Sequence, residues 1–159
     1  MIEPYKAAID ACTQRLSAMG YSKTFDSDYG VRFSNGRYTI ELSIERYYHP
    51  SISMSLVDDK GRTFELGLVL RIRAPRQYAE FVAKEKDIKL RYGLDDRATD
   101  KPTRALAIAA YAAASIEHLC EFLNTLKNEP FTEKEDFLQQ YVQMERERMH
   151  KTFGMDFKF

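Results

Sequence analysis

The chain has 159 residues, and its 24 Lys and Arg balance 24 Asp and Glu, so the formal net charge is zero. This length predicts one domain over residues 1–159, and 44% hydrophobic with 30% charged residues excludes a disordered chain and a largely membrane-embedded one. The balanced charge does not favour non-specific nucleic-acid binding.

The N-terminal segment has the period of a helix. Between Pro4 and Gly20 the apolar residues recur at spacings of three and four: Tyr5, Ala8, Ile9, Cys12, Leu16 and Met19. This spacing predicts an amphipathic helix of about four turns whose apolar side lies on the sheet. Residues 21–28 are rich in Ser, Asp and Thr, and we expect them to form a loop.

Residues 29–72 alternate between apolar and polar side chains, which is the period of a half-buried strand. The inward set in the first short strand is Tyr29, Val31 and Phe33, and in the three that follow it is Tyr38, Ile40, Leu42, Ile44, Ile52, Met54, Leu56, Phe64, Leu66, Leu68, Leu70 and Ile72. We therefore expect a four-stranded antiparallel meander with one wet face. Asn35-Gly36 predicts a type I′ turn in the first hairpin.

The remainder of the chain reads as three helices. Pro75 and Gly93 bound the first, and the second is an alanine-rich run from Pro102 to Lys127 that Asp100 could cap. A Thr132-x-x-Glu135 capping box predicts the start of the third, which we expect to fray at 145–148. Residues 152–159 are expected to add an edge strand or to form a flexible tail. The predicted fold is α+β, with an N-terminal helix, a four-stranded antiparallel β-meander and three C-terminal helices packed on one face of the sheet.

No catalytic or metal-binding motif emerges from the sequence. The three histidines lack ligand spacing, and Cys12 and Cys120 lie in apolar helical patterns typical of reduced, packed thiols. We expect no metal, no cofactor and a cytoplasmic protein, since charged residues interrupt the first fifteen positions and no stretch approaches about twenty apolar residues. A small enzyme using carboxylates on the wet sheet face, at Glu41, Glu45 and Glu65, stays open as an alternative.

Charge is uneven along the chain, although it balances overall. Residues 71–91 have a basic excess, and the segment from Glu117 to Asp136 is acidic. Ordinary solvation of helix surfaces explains such runs, and the sharper hypothesis is an acidic surface that meets a basic partner protein. The candidate partner-binding residues are Glu121, Glu129, Glu133, Glu135, Asp136, Asp95, Asp96 and Tyr47.

Two segments give the chain a family resemblance. The meander segment R-Y-T-I-E-L-S-I-E-R-Y-Y-H-P-S at 37–51 and the helix I-E-H-L-C-E-F-L-N-T-L at 116–126 resemble bacterial immunity proteins of polymorphic toxin systems. The resemblance implies a non-catalytic inhibitor that binds a cognate toxin domain, with another protein rather than nucleic acid or membrane as partner. A secretion chaperone for an effector protein is the alternative, and both a monomer and a homodimer remain open.

Overall fold

The computed structural model of the protein describes residues 5–45, 51–93, 101–126 and 128–154. In these ranges the order of elements is α1 (Lys6–Ala18), β1 (Ser22–Asp26), β2 (Gly30–Ser34), β3 (Tyr38–Glu45), β4 (Ser51–Asp58), β5 (Thr63–Glu65), α2 (Leu66–Arg73), α3 (Pro75–Tyr92), α4 (Lys101–Leu126), a 3-10 turn (Phe131–Glu133) and α5 (Glu135–Phe153). The predicted α+β fold is confirmed, with a helix first, then the sheet, then the remaining helices.

The five strands form one antiparallel sheet in meander order. The inward residues predicted for β3 and for most of β4 are buried: Tyr38, Ile40, Leu42, Ile44, Ile52 and Leu56. Helices α1, α4 and α2 cover that face, α3 packs mainly on α4 and α2, and α5 packs on α2 and the 3-10 turn. The opposite face of the sheet carries the polar side chains.

Strand β1 occupies residues that the sequence led us to expect in a loop. It pairs with β2, and its register shifts between Lys23 and Phe25, which is a bulge at Thr24. The extra residue breaks the period-two alternation, and all five residues of this edge strand are exposed. Neither a hydrophobic alternation nor an apolar run therefore marked it in the sequence.

The predicted fourth strand is wrong beyond its first three residues. Phe64 does lie in β5, but the chain turns into α2 at Leu66, and the consecutive residues Leu68, Val69 and Leu70 are all buried. A strand would have exposed Val69, whereas a helix packed against the sheet, α3 and α5 buries three consecutive residues and exposes Arg71 and Arg73. Leucine also favours helix more than β-branched residues do.

Two local signals were also misread. Only Gly36 has positive φ in the β2–β3 turn, so the turn is not type I′. Instead, the Asn35 side-chain oxygen accepts hydrogen bonds from the backbone N–H groups of Arg37 and Tyr38. The predicted capping box is absent, because Thr132 is buried in the 3-10 turn and α5 begins at Glu135 without a side-chain cap.

Helix α4 is the central helix of the domain. Among the described residues it alone is long and apolar enough to cross a membrane, contrary to our expectation from the sequence, yet 56% of the qualifying window is buried. Its neighbours are α1, α3 and β4, and Ala107 and Ala112 are fully buried. The small alanine side chains let the neighbouring elements approach α4 closely at these positions. Asp100, its predicted cap, lies outside the described residues.

Helix α5 continues through the charged run at 145–148, where fraying was expected, and ends at Gly154 in the left-handed conformation. The prediction of an edge strand or flexible tail over 152–159 is wrong for Thr152 and Phe153, which belong to α5, and residues 155–159 lie outside the described part. Three hydrogen bonds join the connection from α4 to α5 to the β2–β3 and β4–β5 hairpins. They run from Asn35 Nδ2 to Asn128 Oδ1 (2.7 Å), from the Tyr38 hydroxyl to the Glu129 carbonyl (2.6 Å), and from Arg62 Nη2 to the Thr132 carbonyl (2.9 Å).

Candidate interaction surface

A single cross-strand row of residues runs across all five strands, and its members Phe25, Arg32 and Glu41 place their side chains on the open face of the sheet. The register places neighbouring members directly opposite each other across all five strands, in the order Phe25, Arg32, Glu41, Ser55 and Glu65. The Arg32 guanidinium lies over the Phe25 ring at 5.3 Å, and its Nε is 2.7 Å from Glu41 Oε1. Phe25 is 48% exposed. The contact with Arg32 therefore fixes the exposed Phe25 ring, and the ion pair with Glu41 fixes Arg32.

The residues around this row are short and polar. Ser34, Thr39, Ser43, Ser53 and Thr63 share the open face with the row, and the Thr39 hydroxyl donates to the Ser34 hydroxyl at 3.2 Å. Short side chains on a paired backbone leave a flat surface with little conformational freedom to lose on binding. The face is therefore suited to close approach by another molecule.

The carboxylates of the row do not form a catalytic pair on this face. Glu41 and Glu65 are separated by Ser55, two strand spacings or about 10 Å. Glu41 is engaged by Arg32, and Glu65 forms an ion pair with Arg148 of α5. The side chain of Glu45 lies outside the described residues.

A small cavity lies at the edge where β4 extends beyond β5. It has a volume of about 200 Å³ between β4, α2, α3 and α4, with mostly apolar walls. Glu65 and Glu85 both line it, but Arg148 pairs with the first and Lys89 with the second, at 2.9 Å. Burial and Glu85 raise the pKa of Tyr111, which also lines the cavity. Both of these carboxylates are therefore paired, and the Tyr111 phenol stays protonated.

The predicted acidic residues occupy different environments. Glu129 is ion-paired to Arg73 at 2.6 Å and also to Lys134, and the hydrogen bond from Lys134 with the charge of Arg73 lowers the pKa of Glu129. Its charge is compensated within the protein, which is a structural role. Glu121 lies on α4, where its Oε2 is 3.9 Å from His118 Nδ1.

The other acidic residues lie near the start of α5. Glu133 and Glu135 line an open groove of about 600 Å³ between α5 and the β4–β5 turn, and Asp136 is exposed. Leu138 and Val142 contribute apolar surface to this groove, which we call the α5 groove. Asp95, Asp96 and Tyr47 lie outside the described residues, so their proposed role stays a prediction.

The two cysteines are neighbours in the fold, although 108 positions separate them in the sequence. Both are free and buried where α1 meets α4, and their side chains form a hydrogen bond. This bond and burial raise the pKa of Cys12. The same bond lowers the pKa of Cys120, and both side chains are packed in the core.

His118 is buried, with neither ring nitrogen hydrogen-bonded within the described part of the protein. Its ring meets the Phe81 ring edge-on at 4.9 Å. Burial, assisted by the charge of Lys84, lowers the pKa of His118 below its usual 6.5, against the opposing effect of Glu121. The folded protein therefore holds the neutral imidazole.

This burial predicts a pH-dependent stability. Because the folded pKa lies below the unfolded one, His118 takes up a proton more readily in the unfolded chain, and stability falls as the pH drops below about 6.5 until the folded pKa is passed. The slope approaches about 1.4 kcal/mol per pH unit. Urea unfolding on both sides of pH 6.5 should show this loss in the native protein and its absence in His118→Leu. An equal loss in both proteins would assign the effect to another group.

No three His, Cys, Asp or Glu side chains within the described ranges converge as a metal site would require. Comparisons with known protein families, with curated proteins and with solved structures found no match to this chain. The resemblance to immunity proteins therefore stays a prediction.

The cross-strand row could not be read from the sequence. Its members come from five strands, and only the register aligns them. Phe25 fell in a predicted loop, and the bulge at Thr24 is what turns its ring onto the same face as Arg32.

Proposed function

We propose that the protein is a non-catalytic binding protein that neutralises a cognate bacterial toxin domain, with the open face of the sheet as its contact surface. The observation that carries this proposal is the exposed Phe25 ring fixed by Arg32, which is fixed in turn by Glu41. Aromatic residues and arginine are enriched at the centres of protein interfaces and supply a large share of their binding energy.

The chemistry of the row defines the partner. Phe25 offers apolar area, Arg32 offers guanidinium donors, and Glu41 offers acceptors, so the partner surface needs a hydrophobic depression flanked by carbonyl or carboxylate oxygens. The sheet already orders these side chains, which lowers the entropic cost of association. The immunity-protein resemblance of segments 37–51 and 116–126 supports a toxin domain as the partner.

Co-expression tests this proposal directly. A bacterial host producing the toxin encoded beside this gene should survive and yield a stoichiometric complex when the native chain is present. The double variant Phe25→Ala/Arg32→Ala should lose protection and co-purification, because it removes the ring and the cation while the core is untouched. The matched control is Leu90→Ala on α3, where an equally apolar side chain is 75% exposed.

Three outcomes separate the alternatives. Retained protection by the double variant would reject the open face as the contact surface. If charge reversal at Glu133, Glu135 and Asp136 abolishes protection instead, the acidic residues predicted from sequence are the contact. If the native chain neither protects nor co-purifies, the immunity function itself is rejected.

A further inference from the structure

Helix α5 carries a second apolar stripe that no described element covers completely. Its core side holds Phe137 and Tyr141. On another side lie four residues, of which Val142 and Phe153 are exposed (38% and 58%) and Leu138 and Met149 are partly exposed. At about 100° per residue these four fall within an arc of about 60°, over about 22 Å of helix. We call this arc the α5 stripe.

The spacing of the α5 stripe is symmetric about its midpoint between Glu145 and Arg146. Leu138 and Phe153 are equidistant from that midpoint, and so are Val142 and Met149. An antiparallel copy of the same helix, placed on a two-fold axis through the midpoint, therefore sets Leu138 against Phe153 of the copy and Val142 against Met149 of the copy. Few unrelated helices would match every position at once.

The charges on α5 favour the same antiparallel arrangement. Its first turn carries Glu135 and Asp136, and its last turn carries His150 and Lys151. An antiparallel copy brings the acidic end of one helix beside the basic end of the other, whereas a parallel copy would place ends of the same charge beside each other. At the midpoint, Glu145 and Arg146 from both copies form a cluster of two carboxylates and two guanidinium groups without net charge.

The α5 groove supplies a place for the most exposed member of the stripe. Leu138 and Val142 line the groove, with Lys60 and Glu133 at its rim. In the antiparallel arrangement, Phe153 of the second copy lies over Leu138, inside this groove. From this we propose that the chain forms a two-fold symmetric homodimer through antiparallel pairing of the α5 stripes. The pairing does not depend on the function proposed for the open sheet face.

Light scattering and sedimentation of the full chain test the dimer. The native protein should have twice the 18.5 kDa mass of one chain, and Val142→Glu should return it to the single-chain mass because it places carboxylates in the seam. The matched control is Val82→Glu on α3, a valine of similar exposure at 41%, which should stay dimeric. Circular dichroism should show unchanged helix content in both variants.

A charge exchange tests the register. Glu145→Arg gathers four positive groups at the midpoint and Arg146→Glu gathers four negative ones, so each variant alone should be monomeric. Their equimolar mixture restores two of each sign and should recover the dimer mass. A native chain that stays at 18.5 kDa at its highest soluble concentration overturns the proposal. A dimer that survives Val142→Glu, or a mixture that does not re-form it, also overturns it.

Discussion

Phe131→Ala is expected to lower the free energy of unfolding by about 4 kcal/mol. The Phe131 ring is fully buried in the short connection between α4 and α5. Its centroid lies 4.8 Å from the Phe137 ring, 5.7 Å from Tyr38 and 6.3 Å from Phe122, with the Arg73 guanidinium 5.5 Å away. Alanine would leave a cavity bordered by the sheet, α4 and α5 together, and no single element could move to fill it.

Chemical denaturation monitored by tyrosine fluorescence measures this loss, since the chain has no tryptophan. The control is Phe25→Ala, the same truncation at a half-exposed ring, which should cost less than about 1 kcal/mol because little apolar area returns to water. Domains of this size are commonly stable by only 5–15 kcal/mol. A cost for Phe131→Ala as small as that of the control would mean that the connection is not part of the core.

Asp58→Ala should be the most damaging polar substitution, at about 3 kcal/mol. Its buried carboxylate accepts hydrogen bonds from the backbone N–H groups of Lys60 and Arg62 at 3.0 and 2.9 Å, and from Arg62 Nε at 2.8 Å. Truncation would leave these donors unsatisfied and would release Arg62 from its hold on the Thr132 carbonyl. Asp59→Ala, one residue along the same turn and exposed, is the matched control and should change stability by less than about 0.5 kcal/mol.

The same carboxylate has a predictable pH dependence. Burial alone would raise the pKa of Asp58, but the hydrogen bonds and charge of Arg62, with the amide of Lys60, outweigh burial and lower it. Because the folded pKa lies below the unfolded value of about 3.9, the stabilisation is complete above that pH and disappears as the pH falls through the folded pKa. The stability difference between the native protein and Asp58→Ala should therefore shrink in acid. A constant difference would show that the charge contributes nothing.

The elements that could be predicted from the sequence are those with one buried side and one solvent-exposed side. Tyr38 to Ile44 and Ile52 to Leu56 alternate because one sheet face is covered and the other is wet, and α1 shows its stripe for the same reason. Leu66 to Leu70 could not be assigned in this way, since a short apolar run that is buried over most of its surface shows no clear period. Strand β1 gave no signal for the opposite reason, because none of its residues is buried.

The candidate site was less predictable than the fold. Glu129 was singled out for its charge, and only the structure reveals that Arg73 and Lys134 neutralise it. The pairing of Phe25 with Arg32 depends on a one-residue bulge that no composition rule marks. The α5 stripe was present in the sequence as apolar residues within a charged run, and the helix had to be traced to Phe153 before its symmetry could be recognised.

A homodimer would also bear on the secretion-chaperone alternative, which requires two chains that together hold an unfolded effector segment. Dimer formation with loss of toxin protection in the Phe25→Ala/Arg32→Ala variant would favour the immunity function. Dimer formation without any protection by the native chain would favour the secretion-chaperone function.

The attachment of residues 128–132 to the β2–β3 and β4–β5 hairpins has a consequence for biosynthesis. The Asn35, Tyr38 and Arg62 side chains are made long before the carbonyl and amide groups that they bind. A nascent chain can pair its strands early, yet it cannot bury its hydrophobic core completely until α5 has left the ribosome exit tunnel. Truncated or stalled chains that end before Phe137 should therefore expose hydrophobic surface and become substrates for chaperones and proteases.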